Sequence, residues 1–168
     1  MGVVRMIHVN ARSIVVQTID NQIQIVIQKR QRQGEPDYYE LPGGRIEEYE
    51  LITDAIKREV FEETGLVVTE IENEDNQLLT QGDNNAFSIQ CIKPFASYQT
   101  IRGPVDSFGV YFICKAEGNL LHQGDDSIDA HWASFSEIEK LIDNNKFSDI
   151  DKAAVMLFMK EKKCLISL

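Results

Sequence analysis

Apolar and polar residues alternate most regularly near the start of the chain, where two β-branched runs, residues 13–19 and 22–28, flank Asp20-Asn21. Turn-forming residues between two such runs predict a β-hairpin, and the alternation of Ile23, Ile25 and Ile27 predicts a half-buried second strand. Residues 31–37 are polar, with Gly34 and Pro36 as breakers, and predict a loop. Residues 38–41 form a short strand candidate that runs into Pro42-Gly43-Gly44. The clearest helix covers about residues 51–64, with Gly65 placed to stop it. Residues 66–71 and 86–92 read as strands, residues 81–85 as a turn-rich connection, and residues 108–115 as a central strand. Two helices close the chain, residues 136–144 and about 148–163; Ser136 is the expected N-cap of the first, with Glu139 in the capping-box position. Strands and helices mix without a regular alternation, which predicts an α/β protein with a mixed β-sheet covered by helices on its faces.

Composition narrows the function classes. A chain of 168 residues is expected to form a single domain over 1–168 and to bury a core without disulfide or metal staples. Hydrophobic residues at 43% and charged residues at 26% exclude a disordered or fibrous class. No stretch reaches the roughly 18 apolar residues of a membrane span, and residues 1–6 lack the apolar core of a leader, so a cytoplasmic protein is expected. Gly2 does not begin a myristoylation motif, since Met6 stands where Ser or Thr is needed.

The three cysteines, Cys91, Cys114 and Cys164, are scattered and suit buried thiols in a reducing compartment. His8, His122 and His131 have no zinc-ligand spacing. A formal net charge of -10 without a long basic run argues against duplex nucleic acid as partner. A small phosphorylated molecule remains compatible, because a bound divalent cation reverses the field of an acidic site.

The helix after Gly43-Gly44 carries the chemistry. Glu59, Glu62 and Glu63 are spaced i, i+3, i+4 and share one face, with Arg58 among them and Glu50 just before. At about 100° per residue, Glu59 and Glu63 fall within the stripe that holds Ile52, Ala55 and Ile56, with Glu62 at its edge. A solvated face would place them opposite that stripe. Carboxylates aimed at the protein body need compensation, and Arg58 offsets only part of three negative charges. Oxygen-only ligands of this kind are what magnesium prefers.

Read from Gly44, the order is five residues, Glu50, seven residues, then Arg58-Glu59-Val60-Phe61-Glu62-Glu63-Thr64-Gly65-Leu66. This resembles, at every fixed position, the signature box of the Nudix hydrolases, G-x5-E-x7-R-E-U-x-E-E-x-G-U with U aliphatic. With each fixed residue type at roughly 6% abundance, chance coincidence in a chain of this size has odds on the order of 10⁻⁷. Leu41-Pro42-Gly43-Gly44 ahead of the box, and Trp132 followed by a helix start at Ser136-Glu137-Ile138, are similar to the family as well.

The resemblance implies an α/β/α sandwich with a mixed β-sheet and a magnesium-dependent pyrophosphohydrolase, with manganese as the alternative ion. It acts on a nucleoside diphosphate linked to another group and yields two phosphorylated products. It implies Glu59, Glu62, Glu63 and the Gly43 carbonyl as metal ligands, Arg58 as the residue that orients the glutamates through its i+4 neighbour Glu62, and Glu50 as a supporting acid. Glu59 is a candidate base. So is an acid before the last strand, among Asp125, Asp126 and Asp129, with Asp126 the first choice. Arg30, Arg32 and Tyr39 are the candidate substrate-binding residues, and Tyr38, Phe95, Tyr98 and Phe108 are further aromatics able to stack on a base. A homodimer is expected by family habit, and a Nudix-fold sensor that binds a nucleotide without cleaving it is the alternative.

Overall fold

The computed structural model of the chain describes residues 6–30, 37–83 and 86–166. Strand β1 (His8–Ile19) turns into β2 (Gln22–Arg30) through Asp20 and Asn21, both in the left-handed region at φ 50° and 61°. Two consecutive positive φ values are what a tight two-residue hairpin needs, because that turn matches the twist of its strands. Two short strands follow, β3 (Tyr39–Glu40) and β4 (Gly43–Arg45), and then helix α1 (Ile52–Thr64) and β5 (Val67–Ile71). A separate hairpin of β6 (Leu78–Gln81) and β7 (Ser88–Cys91) precedes β8 (Ala96–Gln99), β9 (Ser107–Glu117), β10 (Ser127–Ser134), α2 (Phe135–Asp143) and α3 (Asp149–Ile166).

The main sheet runs β10-β2-β1-β9-β5, with β3 on β2, β4 on β1 and β8 on β9. The β1–β9 pair is parallel and the others antiparallel, so the sheet is mixed as expected. A parallel pair needs a long crossover, and α1 lies within it. Side-chain alternation sends Ile14, Ile25, Ile27 and Tyr111 into a core with Ile138, Val155 and Phe158 of α2 and α3. It sends Ala11, Val15, Val26 and Phe112 into a second core with Ala55, Ile56 and Val60 of α1. The result is the expected α/β/α sandwich.

Several expectations are corrected. Strand β2 is buried on both faces, Val26 as completely as Ile25 and Ile27, because helices cover both sides of the sheet. Ser134, not Ser136, caps α2: its hydroxyl accepts from the Glu137 N–H at 3.3 Å. Only Cys114 is a buried thiol; Cys91 and Cys164 are exposed. The predicted 31–37 loop, with Arg32, lies outside the described residues except for Asp37. Among the described residues no helix is long and apolar enough to cross a membrane.

Candidate active site

Helix α1 is fastened at both ends by distant segments. At its start, where Leu51 gives no side-chain cap, the Gln90 amide oxygen of β7 accepts from the Ile52 N–H at 2.7 Å, and the Gln90 amide nitrogen donates to the Thr53 hydroxyl at 3.1 Å. At its end Gly65 takes the left-handed conformation, φ 76°, and its N–H returns to the Phe61 carbonyl. The next three carbonyls are taken by the loop before β10 and by the first residue of that strand. Asp125 N donates to Glu62 O at 3.1 Å, Ser127 Oγ to Glu63 O at 2.9 Å and Leu121 N to Thr64 O at 2.8 Å. Terminal helix carbonyls lack partners within the helix, so this loop supplies what the fold otherwise owes them.

All five N–H donors of Arg58 are engaged. Nε and Nη2 grip the two oxygens of Glu50 at 2.8 and 3.0 Å, and Nη2 also reaches the Arg45 carbonyl at 3.0 Å. Nη1 donates to Glu59 at 2.7 Å and to Glu62 at 3.2 Å. The guanidinium holds the Glu50 carboxyl below the usual carboxylate range, with the Glu47 N–H assisting. One cation thus faces three carboxylates.

Burial acts on two of the acids, Glu59 and Glu63. Burial raises the pKa of Glu59 although Arg58 opposes the shift, and Glu62 and Glu50 add to it. Glu63, turned into the protein body, is pushed up to about 8 by burial; its Oε2 accepts from the Gly43 N–H at 2.8 Å, which pulls the other way, while Glu40 pushes it up further. Glu62 stays exposed, in keeping with its place at the edge of the stripe.

The loop before α1 is shaped around these carboxylates. A Cβ on Gly44 would fall 2.6 Å from both oxygens of Glu59, so only glycine leaves that carboxylate where it is. Ser13 N donates to Pro42 O and Ile46 N to Val9 O. In an antiparallel ladder alternate residues turn away from the partner, which leaves the Gly43 N–H and carbonyl pointing off β1. The N–H meets Glu63, and Arg58 meets the carbonyl of Arg45, two residues on, which points off β1 in the same way.

The donor set fits a hard divalent cation. It is all oxygen, it carries more carboxylates than Arg58 neutralises, and burial raises the pKa of two of its acids, Glu59 and Glu63. Among the described residues no three acidic, His or Cys side chains already converge on one point, because Glu59 and Glu62 turn to Arg58 and Glu63 to Gly43. These hydrogen bonds are the ones a cation would displace.

The other candidates are distributed unevenly. Asp125 and Asp126 sit on the loop fastened to the end of α1, with Asp126 exposed and at φ 51°. Tyr39 donates to Asp129 at 2.6 Å and lies edge-on to His131. His131 bridges the Asp129 carbonyl and the Glu137 carboxylate; burial resists its charging, but these acceptors outweigh it and raise its pKa. Arg30 donates to Glu40 at 3.1 Å and is mostly buried. Phe95 and Tyr98 pack against the core beside α2 and α3, whereas Phe108 is exposed. No local pattern pointed to Gln90, Ser127 or the buried Arg12–Asp151 pair, since each acts through a partner dozens of residues away.

A comparison of the sequence with curated proteins finds no match. Solved structures share the fold at low identity. The NUDIX domain of Shewanella oneidensis NrtR, solved with ADP ribose, aligns with a TM-score of 0.67 and 16% identity over 94% of this chain and 89% of its own. A bifunctional NMN adenylyltransferase/ADP ribose pyrophosphatase from Francisella tularensis, solved with AMP and a Mn ion, gives 0.60 and 21% over 94% of this chain and 42% of its own. A MutT/nudix family protein from Enterococcus faecalis gives 0.55 and 20% over 80% of this chain. This chain spans about half the length of the last, 46%, and less of the Francisella protein. The family model of the NUDIX domain matches residues 8–151, which takes in the box, the sheet and the start of α3. The chain belongs to the NUDIX domain family.

Proposed function

We propose that this NUDIX-family hydrolase of phosphoanhydride bonds acts on a nucleoside diphosphate linked to a further group, using magnesium, or manganese, held by Glu59, Glu62, Glu63 and the Gly43 carbonyl. The observation that carries the reading is the excess of carboxylate on α1, Glu59, Glu62 and Glu63 against the single guanidinium of Arg58, which Glu50 also engages. When bound, the ion neutralises phosphate oxygens and lowers the pKa of a water.

The chain's own residues supply the rest. Arg58 holds Glu59 and Glu62 in register with Glu50 as its anchor. Glu59, with its raised pKa, or Asp126, on the loop that caps α1, takes the proton from the attacking water. Tyr39 and Arg30, on the neighbouring strands β3 and β2, are assigned to the substrate's nucleoside end. ADP-ribose belongs in the substrate panel because the Shewanella domain was solved with it and the Francisella protein is an ADP ribose pyrophosphatase.

The test is product release with magnesium across nucleoside triphosphates, nucleotide sugars, ADP-ribose, NADH and dinucleoside polyphosphates, run beside Glu62→Gln and Glu63→Gln. Turnover of one class, lost in both variants, is the expected result. Binding of a panel member without turnover, unchanged in the variants, would transfer the chain to the sensor reading.

A further inference from the structure

A buried ionic network lies under the glycine loop, on the side of the sheet away from α1. Asp151, in the first turn of α3, is fully buried. It accepts from the Leu41 N–H at 3.1 Å and from Arg12 Nη1 at 3.0 Å through one oxygen, and from the Tyr111 hydroxyl at 2.9 Å through the other. Arg12 Nη1 also donates to the Leu41 carbonyl at 3.0 Å. Asp151 and Arg12 therefore hold both backbone polar groups of Leu41.

Leu41 stands two residues before Gly43, and there is no slack between that glycine and the network. A Cβ on Gly43 would fall 2.6 Å from the Cα of Arg12, so the Gly43 backbone rests directly on β1 at Arg12. On its other side the Gly43 N–H holds Glu63. Burying an ion pair is weak as a source of stability, since an apolar replacement of the same shape often serves as well. A pair that instead fixes the backbone beside a reactive centre gains its use from geometry.

We infer that Asp151 is a positioning residue for the cation site: through Arg12 and Leu41 it sets the Pro42-Gly43 backbone, and through Gly43 it sets the carboxylate of Glu63. The inference rests on the cation-dependent reading proposed above, and the test separates the two. Amide exchange of Gly43 in metal-free protein reads the hydrogen bond from its N–H to Glu63 without the ion, with the Val26 amide in the middle of the sheet as reference, and titration with Mn2+ reads the site.

Asp151→Asn keeps the shape and loses the charge. It is expected to speed Gly43 exchange about tenfold relative to Val26 and to weaken Mn2+ binding about tenfold, the usual effect of losing a supporting partner of a metal ligand. Tyr111→Phe, which removes one donor to Asp151 and leaves Arg12 in place, should give a smaller change in the same direction in both readouts. Folded Asp151→Asn with unchanged Gly43 exchange and unchanged Mn2+ affinity would overturn the inference, and so would an unchanged Tyr111→Phe if Asp151→Asn does not fold. A wild-type protein that shows no saturable Mn2+ binding would overturn the cation-site reading itself, and the inference with it, before any variant is compared.

Discussion

The Ser127 hydroxyl donates to the main-chain carbonyl of Glu63 at 2.9 Å, across 64 residues of sequence. The loop that carries Asp125 and Asp126 and the helix that carries the glutamates are thereby one mechanical unit, closed by the parallel contact from Asp125 N to the Glu62 carbonyl. Placement of a candidate base and of the candidate cation ligands is set together.

Ser127→Ala should therefore act on both stability and turnover. Losing a buried hydroxyl donor leaves the Glu63 carbonyl unpaired and should cost about 1–3 kcal/mol in a urea melt. Turnover should fall in kcat more than in KM, because Ser127 is buried with its hydroxyl engaged by Glu63. A melt and a kcat both equal to wild type would show that the contact fastens nothing.

Gly44→Ala should separate fold from function. The nearest atoms to the new methyl are the far end of the Glu59 side chain, and Gly44 has no left-handed φ, so the melt should move by less than about 1 kcal/mol. The displaced carboxylate should lower turnover about tenfold or more. Steady-state kinetics at saturating magnesium decide it, and full activity would mean that Glu59 is not held where the reaction needs it.

Arg58→Lys keeps a charge and loses the fork that engages Glu50, Glu59 and Glu62 together. Turnover should drop by about 10–100-fold, as for other residues that orient metal ligands. A lysine variant at wild-type rate would reduce Arg58 to a point charge.

The pKa of Glu63, raised to about 8, makes the metal-free protein sensitive to pH. Below the ordinary glutamate value of about 4.3, folded and unfolded states both carry the proton and the contribution to stability is whole. Between there and about 8 the unfolded chain ionises first, so that contribution is lost as pH rises through the folded value. Glu59 and His131, also raised, act in the same sense. In chelator, the wild-type melting temperature should fall from pH 5 to pH 8.5 more than that of Glu63→Gln. Parallel curves for the two proteins would contradict the burial of an ionisable Glu63.

The parts legible in the sequence were those with short-range signatures. Asp20-Asn21 between β-branched runs marked the first hairpin, and the spacing of Glu59, Glu62 and Glu63 against Ile52 and Ile56 marked both the helix and its acidic face. Strand β10 escaped because its ladder shifts register between Ile128 and His131, which breaks the alternation that announces a strand. Ser136 with Glu139 fits the capping pattern, but Ser134 stands equally three residues before a glutamate and it is Ser134 that accepts from the Glu137 N–H. The fastening of the site was illegible for a different reason: Arg12 meets Asp151 across 139 residues and Ile52 meets Gln90 across 38, and no local pattern encodes such pairs.

The proposed function places a divalent cation on Glu59, Glu62 and Glu63 of α1. Titration of Mn2+ followed by water proton relaxation, on wild type and on the Glu59→Gln, Glu63→Gln double variant, tests it most directly. Saturable binding is expected in the wild type, with affinity at least about tenfold weaker in the folded double variant. Equal affinity in the two proteins, or no saturable binding in the wild type, would contradict it.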